Sequence, residues 1–198
     1  MTKGRLEAFS DGVLAIIITI MVLELKVPHH ADGFADLRPL LPVFLSYLLS
    51  FLFVGIYWNN HHHLLHTLPR VNAGIMWANL HLLFWLSLIP FATGWMGENN
   101  FAPAPTALYG LILLMSGAAY WNLQRLILHL HGPTSPLALA IGRDLKGHLA
   151  LTLYTLAIAA AFLSPWIACA LYTLVALMWI NPDRRIEAAL KQRRERDA

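Results

Sequence analysis

The chain has 198 residues, 58% of them hydrophobic and only 13% charged, about half the charged fraction usual in a soluble domain. Its net charge of +3 comes from basic residues placed between apolar runs and at the carboxyl end, where a membrane protein keeps its topological charges. Nucleic acid is therefore not an expected partner, and the single cysteine, Cys169, excludes an intrachain disulfide.

Taken in chain order, six segments are predicted to cross a bilayer, each near the ~20 mostly apolar residues that a spanning helix needs. They cover about 5–27, 38–62, 72–95, 105–128, 144–163 and 165–181. Turn chemistry separates them: 29–33 after Pro28, then Leu68-Pro69-Arg70, 97–100, Gly132-Pro133 and Ser164-Pro165. The expected fold class is all-α, an integral membrane bundle of six transmembrane helices over 1–182 with a charged cytoplasmic tail over 183–198. If both termini are cytoplasmic, 12 of the 14 Lys and Arg lie inside and only Lys26 and Arg38 outside, as the positive-inside rule requires. No small-residue cleavage pattern follows the first apolar run, so it reads as a retained helix rather than a signal peptide. Pro90 predicts a kink in the third span, and Gly110 and Gly117 permit close packing of the fourth. Trp95, Trp166 and Trp179 lie near span ends and suit interface anchoring.

The first span is too polar to face lipid. It carries Arg5, Glu7, Ser10, Asp11, Thr19 and Glu24, and intramembrane charges turn toward protein or water. Glu7 and Asp11 stand four apart as a like-charge pair, so they need partners from elsewhere. The second span ends at the same inner depth in a Trp58, Asn59, Asn60, His61, His62, His63 and His66 cluster, and the third begins there with Asn72, Asn79 and His81. Hydrogen-bonded packing of Asp11 against that cluster would satisfy both sides. At 100° per residue, Phe9, Ile16, Ile20, Leu23 and Val27 form one narrow apolar stripe with Thr19 at its edge, nearly opposite Asp11. By periodicity alone, the stripe touches lipid, a neighbouring helix or a pore.

The run Arg5-Leu6-Glu7-Ala8-Phe9-Ser10-Asp11 fits R-x-x-x-F-S-D at the start of the first span, and Trp58-Asn59-Asn60-His61-His62 fits a W-x-N-H-H pattern in the second. With these motifs and six spans, the chain resembles the transmembrane protein 175 family of potassium channels, lysosomal in animals and present in many prokaryotes. The resemblance implies a single six-helix repeat and a homotetramer in a prokaryotic plasma membrane. The first helix of each subunit would line a central pore for K+, with no cofactor. It further implies Ile16, Ile20 and Leu23 as a hydrophobic constriction and Thr19 as a hydroxyl layer beside it. Arg5, Phe9, Ser10 and Asp11 would pack the first span against the second and third through Trp58 and either His61 or His62.

No T-V-G-Y-G-like segment occurs, so a carbonyl selectivity filter is not expected. An apolar neck would instead make ions shed water with few oxygens in return, which costs the more strongly hydrated sodium ion more. Slight closure of such a neck would dewet it. At the outer mouth, Glu24, Asp32, Asp36 and Glu98 outnumber Lys26 and Arg38 and would concentrate cations.

Three other classes compete with a channel. His62 and His66 share a helix face at metal-ligand spacing, but neither Cys nor a carboxylate lies beside them in sequence, so no metal is expected. A proton-coupled or other secondary transporter could use Asp11 with the histidines, though clear inverted repeats are lacking. A hydrolase built on Ser10, Asp11 and a histidine meets poor geometry, since adjacent helical residues project about 100° apart.

Overall fold

The computed structural model describes residues 2–27, 33–132 and 144–180, together with Ser135, Ala138 and Gly142. Asp32, Pro133, Arg143 and the tail expected over 183–198 lie outside the described residues. Among those described, seven α-helices carry the fold: α1 (Lys3–Val22), α2 (Leu41–His66), α3 (Ala73–Ser87), α4 (Ile89–Glu98), α5 (Pro103–His131), α6 (Leu145–Ala161) and α7 (Pro165–Ile180). A short 3-10 helix, Phe34–Leu40, leads into α2.

Seven helices make six spans because α3 and α4 are one 26-residue crossing, Ala73–Glu98, broken at Leu88. Pro90 is the cause. It has no N–H to donate and its ring crowds the carbonyl of residue 86, so the last turn of α3 tightens and Leu88 N–H reaches Trp85 O at 3.2 Å. Three segments, Phe34–Thr67, Ala73–Glu98 and Pro103–His131, are long and apolar enough to cross a membrane. α1 is as long as a span at 20 residues but carries Lys3, Arg5, Glu7 and Asp11. α6 and α7 are apolar but short, 17 and 16 residues, about 25 Å each. The hairpin between them exposes Phe162, Leu163 and Trp166, so it extends their apolar surface.

α5 is the central helix, packed on α3, α4, α6 and α7, while α2 packs on α4 and α1 lies across α2, α3 and α4. The bundle closes over a core that includes Phe53, Leu82, Tyr109, Leu123 and Tyr172. Two close approaches set its shape. A Cβ on Gly97 would stand 2.7 Å from the Val43 Cα, so α4 lies directly on the backbone of α2. Gly110, lacking a Cβ, leaves room for the Tyr172 hydroxyl, which donates to Thr106 O at 3.1 Å. Within this core Ser50 is shared by Thr93 (2.6 Å) and Tyr109 (3.0 Å), hydroxyls that would otherwise be stranded. Outward, Phe44, Leu48, Phe51, Phe84, Phe91, Leu156 and Leu177 leave a broad apolar surface, as lipid contact demands.

The pore-helix candidate and its anchoring network

α1 divides cleanly by face. Leu6, Ser10, Leu14, Ile17 and Met21 are buried against the bundle at intervals of three and four, one stripe of an α-helix. Phe9, Ile16, Ile20, Leu23 and Val27 are exposed, Ile16 at 58% and Leu23 at 73%, and nothing else among the described residues covers them. The periodic stripe of the sequence is thus the side of α1 turned away from its own subunit.

Thr19 stands on the same exposed side. Its hydroxyl donates back to Ile16 O (3.0 Å) or Ala15 O (3.1 Å), which commits the proton to the backbone and leaves the oxygen lone pairs outward. Such an oxygen can accept a cation or its hydration water. Gly12 is also on this side, with open space around it.

The opposite side is held by two separate hydrogen-bonded sets. In the first, His61 Nε2–H donates to Asn79 Oδ1 (2.7 Å), Asn79 Nδ2 donates to Ser10 Oγ (2.9 Å), and Ser10 Oγ donates to Leu6 O (2.9 Å). His61, Asn79 and Ser10 are all buried, so this chain ties α1, α2 and α3 together where water cannot substitute. Because Asn79 Oδ1 is an acceptor only, the bond fixes the hydrogen of His61 on Nε2. In the second set, Trp58 Nε1–H donates to Asp11 Oδ1 at 3.0 Å, a charge-assisted bond across the α1 and α2 seam. Asp11 therefore meets the indole, not a histidine. Glu7 finds its countercharge on its own helix, with Lys3 Nζ 3.9 Å away, and Lys3 also donates to His66 O (2.8 Å) at the carboxyl end of α2.

The remaining residues expected here sit apart from these bonds. His62 packs its ring on Trp58 and on His66, with centroids 6.2 and 4.4 Å away. Among the described residues no group of three metal-ligating side chains forms around them. Arg5, expected in the packing network, is exposed on the side of Ile16 and Leu23, because its position in the helical turn matches theirs rather than that of Ser10. Phe9 is half exposed at the border between the two sides. Ser10 and Asp11 go to different partners, which leaves no hydrolytic relay.

At the carboxyl end of α1, Glu24 lies over Gly94, close enough that a Cβ there would stand 2.9 Å from its carboxylate. Glu98 is paired with Lys26 at 2.6 Å, and Asp36 accepts from Gly33 N–H at 3.1 Å. The acid excess expected for an outer mouth is therefore smaller than a count of charges suggests. Sequence reasoning gave no hint of the Lys26–Glu98 pair, whose partners are 72 positions apart.

Comparison with known proteins gives this geometry a setting. The family model described as "Endosomal/lysosomal potassium channel TMEM175" matches residues 5–90, the stretch that holds α1 and its α2 and α3 anchors. A protein of Chryseobacterium sp. (strain P1-3) named as a potassium channel is 57% identical over 192 residues, 97% of this chain and all of that one. The crystal structure of a lysosomal potassium-selective channel TMEM175 homolog from Chamaesiphon minutus superposes with a TM-score of 0.79 at 30% identity, over 89% of this chain and 95% of the other. A zebrafish protein named as an endosomal/lysosomal proton channel, TMEM175, is 25% identical over 70% of this chain but only 26% of its own length. By whole-length similarity, matched motif region and shared architecture, the chain belongs to the TMEM175 family.

Proposed function

We propose that the chain is one subunit of a potassium-selective channel, a homotetramer in a prokaryotic plasma membrane with both termini cytoplasmic. The observation that carries this is the division of α1. Asp11 and Ser10 are held inside the subunit by Trp58 and Asn79, while the described residues leave uncovered an apolar stripe on a helix too charged to live in lipid. Four such stripes meeting on an axis cover one another and enclose a passage.

Ile16, Ile20 and Leu23 form the narrow neck, and Thr19 supplies an oxygen layer to an ion entering or leaving it. Selectivity arises from the cost of stripping water where few oxygens replace it, so the neck prefers K+ to Na+. Closing it by a small amount expels the remaining water and stops conduction. Ion conduction, rather than group transfer, is the family's chemistry, so the chain is not an enzyme.

The test is flux in proteoliposomes with opposed K+ and Na+ gradients. Passive flux following the K+ gradient is expected, with Ile16→Asn raising the leak and lowering discrimination. A permeability ratio unchanged by Ile16→Asn removes that residue from the neck. The second reading is a proton-coupled or other secondary transporter that uses Asp11 and the histidine cluster. A pH-sensitive dye in the same vesicles decides it: uphill flux driven by a pH gradient would replace the channel with a transporter.

A further inference from the structure

At the end of the bundle where α5 finishes and α6 begins, a second built site stands apart from α1. α5 runs 29 residues, about 43 Å, and so overshoots the ~30 Å hydrocarbon layer. Arg125 lies six positions before His131, about 9 Å back along the helix, near the edge of that layer. A guanidinium at this depth needs an anion or water. Arg125 forms no ion pair among the described residues and instead lies 4.0 Å over the Trp121 ring. Lys146 adds positive charge nearby, its ammonium 4.5 Å over the Trp179 ring.

Between these helices is a polar cavity of about 340 Å³ lined by Trp121, Gln124, Arg125, Asp144 and His148, many times the ~30 Å³ share of one water. Trp121, Gln124 and Asp144 also border an adjoining slot with mostly apolar walls, including Phe53, Ile56 and Leu151. Gln124 joins the two. It is only 6% exposed, and its amide makes no hydrogen bond among the described residues. An amide that opens on this cavity beside the Arg125 guanidinium suits a ligand with acceptor oxygens. Asp144 opposes an anion, but its carboxylate caps the start of α6 by accepting from Gly147 N–H at 3.2 Å, which turns it toward the helix end.

We propose that this is a binding site for an anionic phospholipid of the inner leaflet. Arg125 and Gln124 hold the phosphate oxygens, and the first part of an acyl chain lies in the apolar slot. Basic pockets between transmembrane helices on the cytoplasmic side suit anionic head groups, and the polar cavity joined to an apolar slot fits an amphiphile better than a free anion. The leaflet rests on the orientation proposed above, but the binding does not depend on conduction, so a chain that passed no K+ would leave it testable.

The intact assembly in detergent is titrated with phosphatidylglycerol, with phosphatidylcholine and inorganic phosphate as parallel arms. Thermal midpoints and lipid retained in native mass spectra are the readouts. Phosphatidylglycerol is expected to raise the midpoint and stay bound, with Arg125→Ala and Gln124→Leu losing at least about half of that gain. Without lipid, Gln124→Leu is expected to be no less stable than the natural chain, since it removes an unpartnered amide, and this separates lost binding from misfolding. Equal stabilisation by phosphatidylcholine, a full gain from inorganic phosphate, or variants that keep the whole lipid response would each overturn the site.

Discussion

The donor chain from His61 through Asn79 and Ser10 to Leu6 O runs in one direction, every hydrogen assigned by an acceptor-only oxygen or by the next donor. Its centre is Asn79, fully buried on α3. Asn79→Leu takes the acceptor from His61 Nε2–H and leaves Ser10 only its bond to Leu6 O, and the expected loss is about 1–2 kcal/mol of stability, less than a soluble core would lose because helices separated in lipid find other partners. Thermal unfolding in detergent measures it. Ser10→Ala in the Asn79→Leu background is expected to add little, because the bond it removes has already gone, whereas two additive losses would mean that the residues act independently. The sequence made the region legible but not the pairing. Polar residues at one depth of three spans had to meet, yet whether Asp11 faced histidine or tryptophan depends on how α1 crosses α2. A slide of either helix by about one turn would exchange Trp58 for His62, which follows it on the same face, and no spacing along a single chain contains that offset.

Between elements, the tightest seam is α4 on α2. The seam is legible afterwards as small residues on both sides, Ser46 on α2 facing Gly97 on α4 and Ser50 meeting Thr93, a pattern that lets helices approach closely. It was not legible beforehand because glycines near a span end read equally well as turn residues, and Gly97 was taken for one. Pro90 is the converse case: its kink followed from ring chemistry alone, whatever the neighbours. The two glycines give a graded test. Gly97→Val drives a side chain into the Val43 backbone and the Ser46 hydroxyl, neither of which can move aside, and about 1–3 kcal/mol of destabilisation is expected from overpacking. Gly94→Ala meets only the flexible end of Glu24 and is expected to cost markedly less. Comparable losses at both positions, read from unfolding midpoints, would show that the seam is looser than the packing of α4 on α2 implies.

For the whole molecule, α1 is the helix whose two sides make sense only together. Its polar side explains why it stays in the bundle, and its apolar side is left uncovered by the described residues, which on the proposed reading assigns the missing neighbour to the assembly. Periodicity gave the stripe from residues alone, but one chain cannot count its copies, and the number four comes from family resemblance. Cross-linking reads the geometry directly. With Cys169 replaced by Ala, a cysteine at Leu23 is expected near its counterparts across the axis, within the ~4.4–6.8 Å Cα spacing that a disulfide needs or within reach of a short bis-maleimide. A cysteine at Leu174, exposed on α7 away from α1, serves as the control. Oxidation should convert the Leu23→Cys chain to dimers, with the bis-maleimide extending the ladder no further than pairs of an even ring, while Leu174→Cys stays monomeric on the gel. Equal cross-linking at both positions, or none at Leu23, would place the stripe against lipid. The neck of Ile16, Ile20 and Leu23 would then lose the neighbours that give it a passage to enclose.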